Sequence, residues 1–226
     1  MSSPRFRPRS ALPARAISAF GRLALVLSLL LSVSHIVSPA EAELPATPRI
    51  STEPGQWEIA DDQGWDVADG AYRIRPLAEY DVSARVLSAR SYDGDRESDV
   101  APIDLALGWG PMADRDMLKQ LTVSQDDRWY YVRWRNAPID AAEVIAHSAN
   151  THTLPANEEV ARQLASVQQG DVVHLRGKLV TVEADDGWLW TSSMTRFDTG
   201  DGSCEVLWVE SIEVETDDPI VYANHN

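Results

Sequence analysis

Apolar and polar positions alternate most clearly before the middle of the chain, where Val82, Ala84 and Val86 are interleaved with Ser83, Arg85 and Leu87. A period of two predicts a half-buried strand over 80–90. Leu105 and Leu107 predict another over 103–108, ended by the sharp turn of Gly108-Trp109-Gly110-Pro111. Over 129–135, Trp129 and Tyr131 face one way and Tyr130, Val132 and Trp134 the other, which predicts a strand covered on both sides. Gly170-Asp171 opens the densest apolar region. Three runs follow, 172–183, 187–193 and 204–214, separated by Asp186-Gly187 and Asp198-Thr199-Gly200-Asp201-Gly202, and they predict an antiparallel meander.

Helical spacing replaces this alternation in three places. Asp114 caps a predicted helix over 114–121, with Met117, Leu118 and Leu121 on one face. Ala142, Val144, Ile145 and Ala146 give 139–147 an apolar stripe. Asn157 caps 156–168, where Val160, Leu164 and Val167 share a face and Gly170 supplies the stop. The polar stretch 148–155 reads as a break between the last two helices. These elements predict an α+β domain over 71–215.

The ends of the chain have a different character. Arg5, Arg7, Arg9, Arg15 and Arg22 precede an uncharged run from Leu23 to Val33, and Ala40-Glu41-Ala42 then offers a small-x-small cleavage pattern. Residues 1–42 are expected to be a signal peptide cut after Ala42, which places the protein in the periplasm or outside the cell. An uncleaved inner-membrane anchor over 16–37 is the competing reading. Residues 43–70, with Pro45, Pro48 and Pro54, are expected to be a flexible linker, and 216–226 a flexible tail.

Charge changes the picture of partners. The leader carries +4 of a total of −15, leaving −19 on residues 43–226. Such a field repels phosphate backbones, so nucleic acid is not an expected partner. Cys204 is the sole cysteine and forms no intrachain disulfide; opening a strand, it reads as a small buried hydrophobe, with a catalytic thiol as the sharper alternative.

Four groups of residues carry candidate chemistry. The acidic run from Asp93 to Asp99 resembles a calcium loop but has Ser98 and Asp104 where an EF-hand needs Gly and Glu, so a solvated loop is expected and no metal is assigned. Asp198 and Asp201 fail the same template. His147, Asn150 and His152 fit either helix-end capping or an acid/base and metal-ligating cluster, with Ser148 between them and His174 as a distant candidate ligand. Trp188 and Trp190 share a strand face, and Trp208 on the following strand is placed to join them in an aromatic platform. Core packing is the competing fate of all three. The sequence contains no GxSxG elbow, phosphate-cradling glycine loop, HExxH or paired CxxC, and no cofactor is expected.

The runs DLALGWGPMAD, HSANTHTLPANEEVARQL, GDVVHLRGKLVTVE, DDGW and TSSMTRFDTGDGSCEVLWVESIEV resemble a family of small exported proteobacterial proteins of unassigned activity, over about Tyr72 to Val214. The resemblance implies a secreted or periplasmic globular domain and offers no catalytic residues to carry over. By pattern alone, the glycine-led C-terminal half is similar to an OB-type, partly closed antiparallel barrel or sheet with two or three short helices. The leading functional expectation is a non-enzymatic envelope binding or assembly module, its partner an envelope protein or a small ligand and its membrane contact limited to an uncleaved leader. The alternative is a metal-dependent or histidine-based hydrolase using His147, His152, Asp198 and Asp201.

Overall fold

Three apolar clusters, each supplied by a different face of the same sheet or by the segment folded over it, organise the chain. The structure, a computed structural model, describes residues 50, 53–59, 63–136 and 139–217, all within the unit Thr47–Asn226. The expected signal peptide, most of the tail and the start of the linker lie outside the described residues.

The central element is β3, Tyr72–Ser91. It is longer than the predicted 80–90, extending back over 72–79, where Tyr72 and Ile74 are buried. Preceding it, β1 (Gly55–Glu58) and β2 (Trp65–Val67) pair antiparallel with β3, so the expected linker contributes two edge strands. After it come β4 (Ile103–Gly108), α1 (Arg115–Leu118), β5 (Thr122–Asp126), β6 (Trp129–Arg133), α2 (Ala141–Ala146) and β7 (Ser148–Pro155). The chain continues through α3 (Glu158–Ser166), β8 (Val172–Ala184), β9 (Leu189–Thr191) and β10 (Glu205–Glu215).

Pairing runs β3–β4–β7–β10–β8 and returns from β8 to β3, so the sheet is partly ring-closed. All of these pairs are antiparallel except β7 with β10. Side chains pointing into the ring, among them Val82, Leu105, Leu175 and Leu207, form the main core, and Val160 and Leu164 of α3 pack into it. One strand can serve two cores because its register with β8 slips between Pro76 and Ala78. Proline has no N–H for the ladder, and a bulge beside it reverses the faces. Ile74 therefore points to the outer cluster with Val180 and Val182, whereas Tyr80 points into the ring.

Two predicted features need correction. The expected meander does not form: β9 and β10 both pair with β8, covering 181–183 and 172–179 of the same strand, and β10 crosses on to β7. The polar break 148–155 is strand β7, buried over Ser148–Leu154. Its polarity misleads because three of its polar side chains find partners inside the protein. Ser148 Oγ donates to Val144 O (2.7 Å), Asn150 Nδ2 to Arg128 O (2.9 Å) and Thr153 Oγ1 to Ile103 O (2.6 Å).

The segment between β4 and β7 folds over their outer face. The β5–β6 hairpin pairs with no other strand among the described residues, and β6 lacks the cover on both sides that its aromatics suggested. Tyr130, Val132 and Trp134 pack on the third cluster, with Leu118, Leu121 and Val144, while Tyr131 is exposed. Helix α1 keeps the predicted N-cap at Asp114, whose Oδ1 accepts from Met117 N (2.7 Å), and α3 keeps its cap at Asn157. No helix among the described residues is long and apolar enough to cross a membrane.

Candidate functional site

At the end of the ring where β6, α2, β7 and the start of β10 meet, a cavity of about 320 Å³ opens under the segment 195–204. Its position follows from register. In the parallel β7–β10 pair Glu205 stands opposite Thr151, so its side chain points with Leu207 and Val209 towards the ring interior, and Cys204 falls on the other face beside Asn150. Trp109, Trp129, Tyr130 and Trp134 line the cavity, with Asn150, Arg196, Asp198, Cys204 and Glu205 among its polar members.

Glu205 is the feature the sequence did not reveal. It is 2 % exposed, and its Oε2 has no hydrogen-bond partner. Burial raises its carboxyl to about 8, against an ordinary 4.5, and the opposing pull of Arg196 is too weak to restore it. The reason is geometric: Arg196 Nη1 stops 3.9 Å from Glu205 Oε1, an ion-pair distance but no hydrogen bond. The guanidinium is held elsewhere, donating to Pro54 O (3.0 Å) and Tyr80 Oη (3.4 Å). It also lies 5.3 Å from the Tyr80 ring centre and 5.9 Å from that of Trp109.

Cys204 is poorly suited to nucleophilic work. Burial first and the Glu205 carboxylate second push its thiol up to about 12, so almost none is thiolate near neutrality. Its neighbour Asn150 is fixed from both ends, accepting from Gln125 Nε2 (2.8 Å) and donating to Arg128 O, with Cys204 Sγ 4.0 Å away.

A second polar cluster adjoins this one. Asp104 on β4 faces His152 on β7, as their register requires, and His152 Nδ1 lies 2.9 Å from Asp104 Oδ1. That contact is off hydrogen-bond geometry, and Asp104 Oδ2 has no partner either. Arg128 neutralises the pair: Nη1 donates to Asp104 Oδ1 (2.8 Å), while Nη2 and Nε clamp Asp95 (2.7 and 2.8 Å). This clamp holds the Asp95 carboxyl down at about 2. The acidic run around Asp95 is thus anchored to arginine, and Ser98 N also donates to Asp95 Oδ1. The His152 ring lies 4.7 Å from that of Trp190, tilted by 47°, and borders a smaller cavity of about 170 Å³ shared with Trp129 and Cys204.

The predicted residues are therefore only partly brought together. Asn150 and Asp198 line the larger cavity and His152 the smaller one. His147 lies apart at the end of α2, its Nδ1 2.8 Å from Glu143 O, in the helix-end role. Asp198 accepts from Ser193 Oγ (2.7 Å), and Asp201 is an exposed turn residue lining neither cavity. His174 is bound to Asp81 (2.7 Å), on the opposite edge of β8 from β10. Trp188 and Trp190 do meet, at 6.0 Å, but Trp208 contacts Trp65 (5.2 Å) instead, because β10 pairs with β8 and β7 and not with β9. All four tryptophans pack on the outer cluster. Among the described residues no group of three or more His, Cys, Asp or Glu could hold a metal ion.

Compared with known proteins, the chain matches no family model, no curated protein and no solved structure.

Proposed function

We propose that this chain is an exported, non-enzymatic binding module that holds a small, largely apolar ligand at the end of an OB-type ring. The strand order supports the OB reading: three antiparallel strands (β3, β4, β7), a helix, then β8 and β10, with β10 parallel to the third strand. The observation that carries the binding reading is the 320 Å³ cavity, whose size and aromatic lining with a few convergent polar groups suit a ligand site. The basic, apolar leader with Ala40-Glu41-Ala42 supports export.

Titration with tert-butylbenzene, followed by tryptophan emission, tests the site. Ala141 borders the cavity on the exposed first turn of α2, so Ala141→Trp fills the mouth without entering the core. Binding by the wild type that Ala141→Trp abolishes is expected; equal binding by both removes this cavity as the site. Mass spectrometry of exported protein is expected to give Glu43 as the first residue, and an intact leader would turn the reading to a membrane anchor.

The hydrolase reading keeps one observation in its favour, the Asp104–His152 contact beside the smaller cavity. Turnover of p-nitrophenyl esters that His152→Gln abolishes would replace the binding reading with it.

A further inference from the structure

The walls of the larger cavity and the unpartnered carboxyl inside it restrict what it can accept. An anion would meet Asp198 and Glu205; a neutral apolar ligand would leave Glu205 Oε2 without a partner, which is costly for a buried oxygen. Arg196 does not satisfy this oxygen, being committed to Pro54 O, Tyr80 Oη and the neighbouring rings. The same arginine, within 6 Å of Trp109, already places a cation against the aromatic wall, as the negative face of an indole favours.

We infer that the ligand is an organic cation, an alkylated or aromatic ammonium, seated among Trp109, Trp129, Tyr130 and Trp134 with its charge directed to Glu205. The inference rests on the cavity being a ligand site, and adds the ligand's chemical class. With Glu205 ionised, the charged members of the cavity are Glu205, Asp198 and Arg196, a net of −1 that one monovalent cation neutralises. The −19 on residues 43–226 draws cations towards the protein and keeps anions away.

Proton balance follows directly. Below about pH 8 the empty site holds Glu205 as the neutral acid, and an arriving ammonium stabilises the carboxylate, so the proton leaves to solvent as the cation binds. The groups facing this carboxyl are Arg196 and Asp198 from the covering segment, Cys204 beside it, Tyr80 from β3 and Tyr130 from β6. Tyr80 and Tyr130 are both raised by burial and stay neutral, leaving Glu205 as the proton donor.

Phenyltrimethylammonium and its uncharged carbon isostere, tert-butylbenzene, have the same shape and differ in charge. Calorimetric titration of the purified protein with each, at pH 7 and in buffers of different ionisation enthalpy, isolates the charge and counts the proton. The cation is expected to bind about tenfold or more tightly than the isostere, as pairing of its charge with the buried Glu205 carboxylate provides after the cost of ionising that group at pH 7. It is also expected to release a proton that the isostere does not. Glu205→Gln is expected to erase the preference while still binding the isostere, which shows that its cavity is intact. Equal binding of the two ligands, or tighter binding of the isostere, overturns the cation inference and leaves the binding reading standing. A preference that survives in Glu205→Gln overturns the role of Glu205. Binding of neither ligand overturns both readings.

Discussion

Replacing Glu205 with glutamine keeps the shape of a buried side chain and removes its titration, so it isolates the effect of that carboxyl on stability. In the folded protein burial holds the acid at about 8, whereas in the unfolded chain it returns to 4.5. Between those values the folded state binds the extra proton. The stabilising contribution is therefore complete below 4.5 and is lost as pH rises through about 8. At ~1.4 kcal/mol per pH decade the full span is worth roughly 5 kcal/mol, of which roughly 3–4 falls between pH 5 and 8. Urea unfolding of wild type and Glu205→Gln at intervals across that range, followed by tryptophan emission, measures it. The wild-type stability is expected to decline towards pH 8 relative to the variant by that amount. Two curves parallel within about 0.5 kcal/mol would refute the claim that this carboxyl is desolvated and uncompensated.

Other features of the fold give equally definite outcomes. Arg128→Met strands Asp104, 0 % exposed, without its cation, and should cost about 3–5 kcal/mol in urea unfolding, partly recovered in Arg128→Met/Asp104→Asn; a loss under about 1 kcal/mol would contradict the buried clamp. Gly177→Ala would bring its Cβ within 1.8 Å of Trp208 O, a backbone atom of the paired strand, so it should unfold the protein or cost over about 3 kcal/mol, and a near-neutral result would refute that approach. Cys204, raised to about 12 against an ordinary 9.0, should react with a disulfide reagent roughly a thousandfold more slowly in the native protein at pH 8 than in urea; comparable rates would show an exposed, ordinary thiol.

Periodicity made the regular elements legible and left their connections obscure. Alternation at Val82, Ala84 and Val86 and helical spacing at Val160 and Leu164 identified β3 and α3 because one face of each packs into the main core. What defeated the pattern was polar side chains satisfied indoors. Ser148, Asn150 and Thr153 read as a loop, yet the covering hairpin and β4 supply their hydrogen-bond partners, so β7 is a buried strand. The edge strands β1 and β2 are too short and too exposed to carry a period. For the site, Asn150 and Asp198 were named from sequence, whereas Glu205 and Arg196 were not. A glutamate opening an apolar run looks like the exposed end of a strand. Only the parallel register with β7, a contact some fifty residues distant along the chain, turns its side chain inward. The tryptophans show the same limit: Trp188, Trp190 and Trp208 were legible as aromatic positions on strands, but which of them meet depends on β10 leaving β9 for β7.

The central claim, that the cavity under 195–204 is where a small ligand sits, is tested most directly by the indole N–H signals of the eight tryptophans in a nitrogen-labelled sample titrated with tert-butylbenzene. The signals of Trp109, Trp129 and Trp134 are expected to shift together and saturably, while those of Trp57, Trp65 and Trp208 stay in place. No shift at the first three, or shifts confined to Trp188 and Trp190, would contradict the account.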